Sequence, residues 1–306
     1  MKALVTGGAG FIGSHIVERL LKDGHDVIVI DDFSTGKMEN LPENNERLVV
    51  VEGDIRDFYL LEKFMEGVDW VFHKAAVASV QKTVHDPVGS STVNYTGTLN
   101  ILETARKNNV KRVVFASSAA LYGDEHTLPK VETMAPVALS PYAVDKMASE
   151  YACMMYHKLY GLNTVALRYF NVYGPRQDPS SPYSGVISIF VDRLKAGLNP
   201  TVFGDGEQTR DFIYVGDVVE ANMKAAMKDS AAGEVFNVAT GERVTLNELL
   251  KTLCDISGRD FSPQYDSVRE GDIKDSYANV SKAGQIIDFS STVELKNGLT
   301  SLISEE

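Results

Sequence analysis

The sequence predicts an α/β fold: a doubly wound, mostly parallel sheet of about seven strands, with a smaller C-terminal lobe. Three observations carry this expectation. Short β-branched apolar runs recur along the first two thirds of the chain, helix-like stretches separate them, and the first run empties into a glycine cluster. Strands that alternate with helices need crossover connections, and crossovers impose a parallel sheet with helices on both faces.

The runs lie at residues 2–6, 26–31, 48–52, 69–73, 111–117, 164–169 and 235–239. Their cores, such as LVVV and RVVF, lack in/out alternation, as suits strands covered on both sides. Helical patterning is clearest at 12–22, 57–65, 93–108 and 143–160. After Asn171 the alternation breaks. Residues 174–184 are rich in Pro, Ser and Gly, and turn signals recur at Asn199-Pro200 and Gly204-Asp205-Gly206. The expected division is therefore a first unit at 1–171, with a returning segment at about 212–239, and a smaller lobe at 172–306.

Composition narrows the function classes. With 44% hydrophobic and 24% charged residues, the 306-residue chain reads as globular. Its net charge of −12 disfavours nucleic acid or an anionic membrane as partner. Any phosphate ligand must then meet local arginines or helix N-termini. Cys153 and Cys254 are too few for a disulfide framework or a C-x-x-C site, which points to a reducing compartment. The six histidines show no ligand spacing, so no metal is expected. The N-terminal apolar run is too short for a signal peptide or membrane span, and a cytoplasmic location is the expectation.

Lys2–Thr6 feeds directly into Gly7-Gly8-Ala9-Gly10-Phe11-Ile12-Gly13, followed by a helical pattern. Gly7, Gly10 and Gly13 fit G-x-x-G-x-x-G, and Gly8, Gly10 and Gly13 fit G-x-G-x-x-G. Either register gives a tight turn and close approach of backbone amides to a pyrophosphate at a helix N-terminus, the Rossmann arrangement. Asp31 ends the second strand 18 residues after Gly13. A carboxylate there accepts the adenosine ribose hydroxyls and repels a 2′-phosphate, favouring NAD over NADP.

Tyr142 and Lys146 are four apart on a predicted helix and share a face. A free tyrosine, with a pKa of about 10, is a poor base at neutral pH. A nearby ammonium and the positive nicotinamide would both favour its phenolate, which could then remove an alcohol proton. Tyr59 and Lys63 match the same spacing and are read as a helix-surface pair. Position favours Tyr142, which follows a strand ending at Ser117-Ser118, where strand C-termini face a bound cofactor. Ser118 can bond the same substrate hydroxyl.

The segments TGGAGFIGSH, Asp31-Asp32, GDIRD, HKAA, SSAALYG, SPYAVDK and LRYFNVYGPRQDP resemble the extended short-chain dehydrogenase/reductase family, and within it the nucleotide-sugar 4-epimerases. The similarity continues through GDGEQTRDFIYV to REGDIKDSYANVSKA. It implies that Gly7, Gly10, Phe11 and Ile12 hold the pyrophosphate of NAD. Asp31, Asp32, Phe33, Ser34 and Gly36 would surround the adenosine ribose, with Asp54 and Ile55 at the adenine. Ala75, Ala76, Asn94 and Tyr169 would line the path to the nicotinamide, beside the catalytic residues Ser118, Tyr142 and Lys146. On the substrate side, Asn171 and Gln177 would approach the sugar and its phosphates. Val202, Phe203 and Gly204 would hold uracil, and Arg210 and Arg269 would clamp the pyrophosphate of a UDP-sugar. Ser79, Val186, Gln208, Asp272 and Ser276 complete the implied contacts. Where many relatives carry a lysine after HxAA, this chain has Val77-Ala78-Ser79-Val80.

The implied reaction is 4-epimerisation through a transient 4-keto sugar, with NAD regenerated in each cycle. Ala119 and Ala120 occupy the positions where related 4,6-dehydratases carry an acidic pair, so dehydration is disfavoured, as is decarboxylation of a glucuronate. Ser276 stands where relatives restricted to plain hexoses often carry a tyrosine, which leaves room for an N-acetyl group. The stretch Arg176–Pro179 also resembles UDP-N-acetylglucosamine epimerases. The expected substrates are UDP-N-acetylglucosamine/UDP-N-acetylgalactosamine and UDP-glucose/UDP-galactose. Alternatives are a UDP-glucuronate or UDP-pentose 4-epimerase and, more distantly, a non-catalytic NAD sensor on the same fold. Apolar residues on more than one face of the 143–160 helix, with the family's pairing mode, imply a homodimer.

Overall fold

The computed structural model describes residues 1–178, 185–268 and 273–304. Its strands are β1 (Lys2–Thr6), β2 (Asp26–Asp31), β3 (Leu48–Glu52), β4 (Trp70–His73), β5 (Arg112–Ser118), β6 (Thr164–Tyr169) and β7 (Asn171–Tyr173). Then follow β8 (Thr201–Phe203), β9 (Thr209–Arg210), β10 (Phe212–Tyr214), β11 (Glu234–Val238), β12 (Val244–Thr245), β13 (Gln264–Asp266) and β14 (Asp275–Ser276). The helices are α1 (Phe11–Lys22), α2 (Phe58–Met65), α3 (Val80–His85), α4 (Pro87–Ser91), α5 (Gly97–Lys107) and α6 (Pro141–Tyr160). They continue as α7 (Val186–Lys195), α8 (Val215–Met227), α9 (Leu246–Ser257), α10 (Ser281–Ile287) and α11 (Leu295–Ser304).

Seven strands form one sheet in the order β11-β6-β5-β4-β1-β2-β3. Every pairing in it is parallel, so the expected doubly wound sheet is what forms. The order reverses between β1 and β4. At such a switch point the adjoining loops diverge and leave a crevice beyond the strand C-termini.

Both faces are covered. On one side Ile16, Val17 and Leu20 of α1 and Val218, Ala221 and Met223 of α8 pack against Val5, Val29 and Val114. Ala283, Ile287 and Phe289, near the C-terminal end, join this same core. On the other side Leu61 and Met65 of α2, Ile101 and Ala105 of α5, and Ala152 and Cys153 of α6 pack against Leu4, Val71 and Val113. Nonpolar side chains on both faces explain why these strands read as continuous apolar runs. A third core unites α7, α9 and α11 around Phe190, Leu249, Leu250, Leu253 and Leu299 and forms the C-terminal lobe. Small sheets β10-β7, β12-β9-β14 and β13-β8 frame it.

The expected helix at 93–108 is subdivided. Asp86 caps α4 by accepting from the Gly89 amide, and Pro87 opens it. A π-helical turn at Thr92–Thr96 then precedes α5. The widened turn accommodates Asn94, whose side chain is bonded to the Val77 backbone rather than stacked on its own helix. Among the described residues, no helix is long and apolar enough to cross a membrane.

Candidate active site

The glycine turn lies at the switch point. Gly7 has φ +65°, and a Cβ there would stand 2.6 Å from the Ala75 amide nitrogen. A Cβ on Gly13 would stand 2.0 Å from the Gly7 carbonyl oxygen. Both positions are closed to any other residue, which draws the turn against the end of β4 and seats α1 on the sheet. Gly10 is the N-cap of α1 and supplies no side-chain cap, so the first amides of the helix, including those of Phe11 and Ile12, could serve an anion.

Asp31, only 6% exposed, ends β2 beside this turn. Its carboxylate accepts from the amides of Ala9 and Phe33, each at 2.9 Å. Burial pushes its carboxyl above the usual range, while those two amides act in the opposite sense. A Cβ on Gly36 would meet the Asp31 Oδ1 at 2.8 Å, so glycine keeps the flank of the carboxylate open. Asp32 accepts from the amide and hydroxyl of Ser34, and Phe33 adopts a positive φ between them. Asp54 is paired with Arg56, whose hydrogen bonds hold its carboxyl below the usual range. The Ile55 side chain packs inward against Gly97, and its carbonyl accepts from Asn100 at 3.2 Å. The donors, the buried carboxylate and the space the glycines leave together fit a dinucleotide.

Helix α6 carries the second group. Ser140 caps it through the Ala143 amide, Pro141 opens it, and Gly161, left-handed at φ +71°, ends it. This phasing turns Tyr142 and Lys146 toward the end of β5. The Tyr142 amide donates to Thr83 Oγ1 at 3.2 Å. Lys146 Nζ donates to the Ala116 carbonyl at 2.8 Å and lies 5.8 Å from the centre of the Tyr142 ring. The Ser118 hydroxyl stands beside the Tyr142 phenol, close enough to lower its pKa, and accepts from the Ala120 amide at 3.1 Å. The expected trio is therefore brought together. Tyr59, by contrast, is 82% exposed, as read for a surface pair.

One expectation needs correcting. Among the protein's own groups, the pKa of the Tyr142 phenol is raised, because desolvation outweighs the lowering by nearby Ser118. Lys146 does not reverse this: its ammonium is anchored on a carbonyl, and burial brings its own pKa down to about 8. Of the two influences expected to favour the phenolate, the positive nicotinamide is the one the protein does not itself supply.

The remaining cofactor-side residues act as struts. Ala75 and Ala76 follow β4 directly. Asn94 Oδ1 accepts from the Val77 amide at 2.8 Å, and its carbonyl accepts from Ser149 of α6. The Tyr169 hydroxyl is shared between Asn222 and Lys74. Ser79 caps α3 through the Lys82 amide, so its hydroxyl already has a structural task.

In the lobe, Asn171 donates to the Asp211 carbonyl at 3.0 Å and Gln177 to the Val172 carbonyl at 3.1 Å. Val186 opens α7. Val202 is fully buried in the lobe core, whereas Phe203 is half-exposed and Gly204 turns the chain at φ +79°. Gln208 donates to the Phe203 carbonyl at 2.7 Å. Arg210 pairs in register with Ser276 across β9 and β14, and the Gln208 bond ties Phe203, on the separate β13-β8 sheet, to the residue that precedes β9. Arg269 and Asp272 lie outside the described residues.

Asp211 is a residue the sequence reading passed over. Fully buried, it accepts from Thr240 N and Oγ1, Gly241 N and Ala278 N, tying β10 to the loop after β11 and to the segment after Ser276. Its only signal was its place inside RDFIYV.

Known proteins share this arrangement. UDP-glucose 4-epimerase of Mycolicibacterium smegmatis is 40% identical over 309 residues, covering 99% of this chain and 97% of that one. The crystal structure of the Thermotoga maritima UDP-glucose 4-epimerase with UDP-glucose is 41% identical, with a TM-score of 0.94 over 99% of this chain and 97% of that one. A UDP-N-acetylglucosamine 4-epimerase from Methanobrevibacter ruminantium, in complex with UDP-N-acetylmuramic acid, is 41% identical, with a TM-score of 0.95 over 100% and 99%. Residues 3–239, which span the glycine turn, Asp31 and the whole trio, match the NAD dependent epimerase/dehydratase family, and the chain belongs to it.

Proposed function

We propose that this protein is a UDP-hexose 4-epimerase that retains NAD and acts on both N-acetylated and plain hexoses. One observation carries the reading: Ser118, Tyr142 and Lys146 converge at the end of β5, while Ala119 and Ala120 beside them have no group able to move a proton. The site can thus exchange one proton at a sugar hydroxyl but cannot perform an elimination.

Bound NAD supplies a reversible hydride acceptor at carbon 4 of the sugar. Tyr142 removes the 4-hydroxyl proton and later returns it. Ser118 holds the same oxygen in line, and Lys146, fixed on the Ala116 carbonyl, stabilises the phenolate when it forms. The α1 amides receive the cofactor pyrophosphate and Asp31 its adenosine ribose. Arg210 faces the UDP phosphates, answering the demand that the acidic chain makes for local positive charge. Ser276, in register beside Arg210, leaves space for an acetamido group.

The helix α6 also exposes Val144, Tyr151, Met155 and Leu159 as one stripe on the side away from Lys146. An unpartnered apolar stripe of this kind suits a homodimer, and a monomeric mass in solution would remove that part of the reading.

The functional test is direct. Purified protein is incubated separately with UDP-N-acetylglucosamine and UDP-glucose, with no NAD added, and the products are separated by chromatography. Formation of both 4-epimers is expected, together with loss of turnover but retention of NAD in Tyr142→Phe. A Tyr142→Phe protein that keeps wild-type turnover would refute the mechanism.

A further inference from the structure

The side of α6 that carries Tyr142 and Lys146 continues one turn further to Glu150. These three residues meet three consecutive residues at the end of β5. Tyr142 lies beside Ser118, Lys146 donates to the Ala116 carbonyl, and Glu150 accepts from the Ser117 hydroxyl at 2.6 Å. The Glu150 carboxylate is engaged by Ser117 and Arg168, and it is buried with its side chain 7% exposed.

Its charge is matched by Arg168 of β6, whose side chain is 5% exposed and which binds both carboxylate oxygens, at 2.6 and 3.0 Å. Arg168 also donates to the Tyr122 hydroxyl at 2.9 Å. Tyr122 donates in turn to Asn237 of β11 at 2.6 Å, and the Asn237 side chain donates to the Lys130 carbonyl. A bidentate guanidinium–carboxylate pair is directional, unlike an apolar contact, and fixes both rotation and height of the elements that bear it.

We propose that Glu150, held by Arg168, is a positioning residue for the catalytic groups: it locks the rotation of α6 against β5 so that Tyr142 and Lys146 stay aligned with Ser118. A buried pair of this kind is weak support for stability as such, because two apolar residues of similar volume often replace it at no loss. Geometry is then the reason for keeping it.

The inference rests on the epimerase reading for its activity readout, and the test separates the two. In the NAD-loaded full chain, Glu150→Leu alone strands a buried guanidinium and lowers the melting temperature. The double variant Glu150→Leu/Arg168→Met removes both charges and is expected to recover the wild-type melting temperature and NAD content. Its kcat nevertheless stays down by about 10²-fold, since roughly an ångström of misplacement is enough for that, while KM for the UDP-sugar changes little. Recovery of wild-type kcat along with stability would overturn the proposal, as would a loss confined to KM.

If the double variant does not fold, Ser117→Ala decides. It cuts only the tie between β5 and Glu150 and leaves the ion pair, so a kcat reduced several-fold supports the proposal and an unchanged kcat refutes it. If the wild type turns over no UDP-sugar, the epimerase reading fails, and positioning is read instead from the ionisation of Tyr142, followed as phenolate absorbance against Tyr142→Phe. The groups around it are Lys146 of its own helix and Ser118 of β5, with Asp145 and Cys153 beside Lys146. Rotating Tyr142 away from the end of β5 alters its burial and its contact with Ser118, so that ionisation shifts in the double variant; an unshifted titration refutes the proposal.

Discussion

Lys146 should stabilise catalysis at the expense of the fold, and the size of that conflict follows from its surroundings. The side chain is 5% exposed, and burial lowers its pKa from 10.5 to about 8. Each pKa unit corresponds to about 1.4 kcal/mol. A lysine whose folded pKa is depressed binds its proton more weakly in the native state than in the unfolded chain. Stability is therefore reduced below pH 8, by about 3 kcal/mol at pH 7, and rises as the pH climbs from about 8 toward 10.5. Replacing Lys146 with Met removes this penalty but also the bond to the Ala116 carbonyl, worth about 1 kcal/mol. The variant should thus be more stable than wild type by about 2 kcal/mol at pH 7, while losing turnover. Urea unfolding of both proteins at pH 7 and pH 9.5 measures it. Wild type should gain about 2 kcal/mol relative to the variant over that interval from Lys146 itself, since remote titrating groups cancel in the difference. Lys74 and His73, whose pKa values Lys146 lowers, titrate higher in the variant. A variant less stable at pH 7, or one whose stability follows pH in parallel with wild type, would refute the reasoning.

Three further outcomes follow from named contacts. Gly13→Ala should lose bound NAD and a large part of its stability, because its Cβ meets the Gly7 carbonyl at 2.0 Å; Gly10→Ala, with 3.3 Å to the same atom, should melt close to wild type, and calorimetry separates the two. Asp211→Asn puts a donor where four donors now converge and should cost about 3 kcal/mol in chemical denaturation, with NAD content reduced far less than by Gly13→Ala. Ser276→Tyr should lower turnover of UDP-N-acetylglucosamine relative to UDP-glucose by about 10-fold or more, as filling a pocket does for a bulky substituent; an unchanged ratio in paired assays would remove Ser276 from specificity.

What the sequence made legible was what depends on near neighbours. Strands buried on both faces leave unbroken apolar runs, and β1, β2, β3 and β6 fall at the expected residues. The glycine turn was legible because steric closure at Gly7 and Gly13 forces one residue type at fixed spacing. The lobe was harder. Its helices α7, α9 and α11 bury only one side each, against one another, and its paired strands run to two or three residues, too short for a period to show.

The site shows the same boundary more sharply. Tyr59/Lys63 and Tyr142/Lys146 have identical spacing, and only the strand that meets the helix leaves one tyrosine on the surface and anchors the other pair at the end of β5. Spacing within a helix states which side chains share a face; it does not state what that face meets. Glu150 lies in the same i, i+4 series as Tyr142 and Lys146, but its partner Arg168 is 18 residues away on another element, and Tyr122 finds Asn237 across 115 residues. Such partners leave no periodic trace, because their adjacency is produced by the sheet order rather than by the chain. A helical series that carries a tyrosine and a lysine toward a strand end should therefore be read one turn further, since the residue that fixes the helix's rotation belongs on that same face.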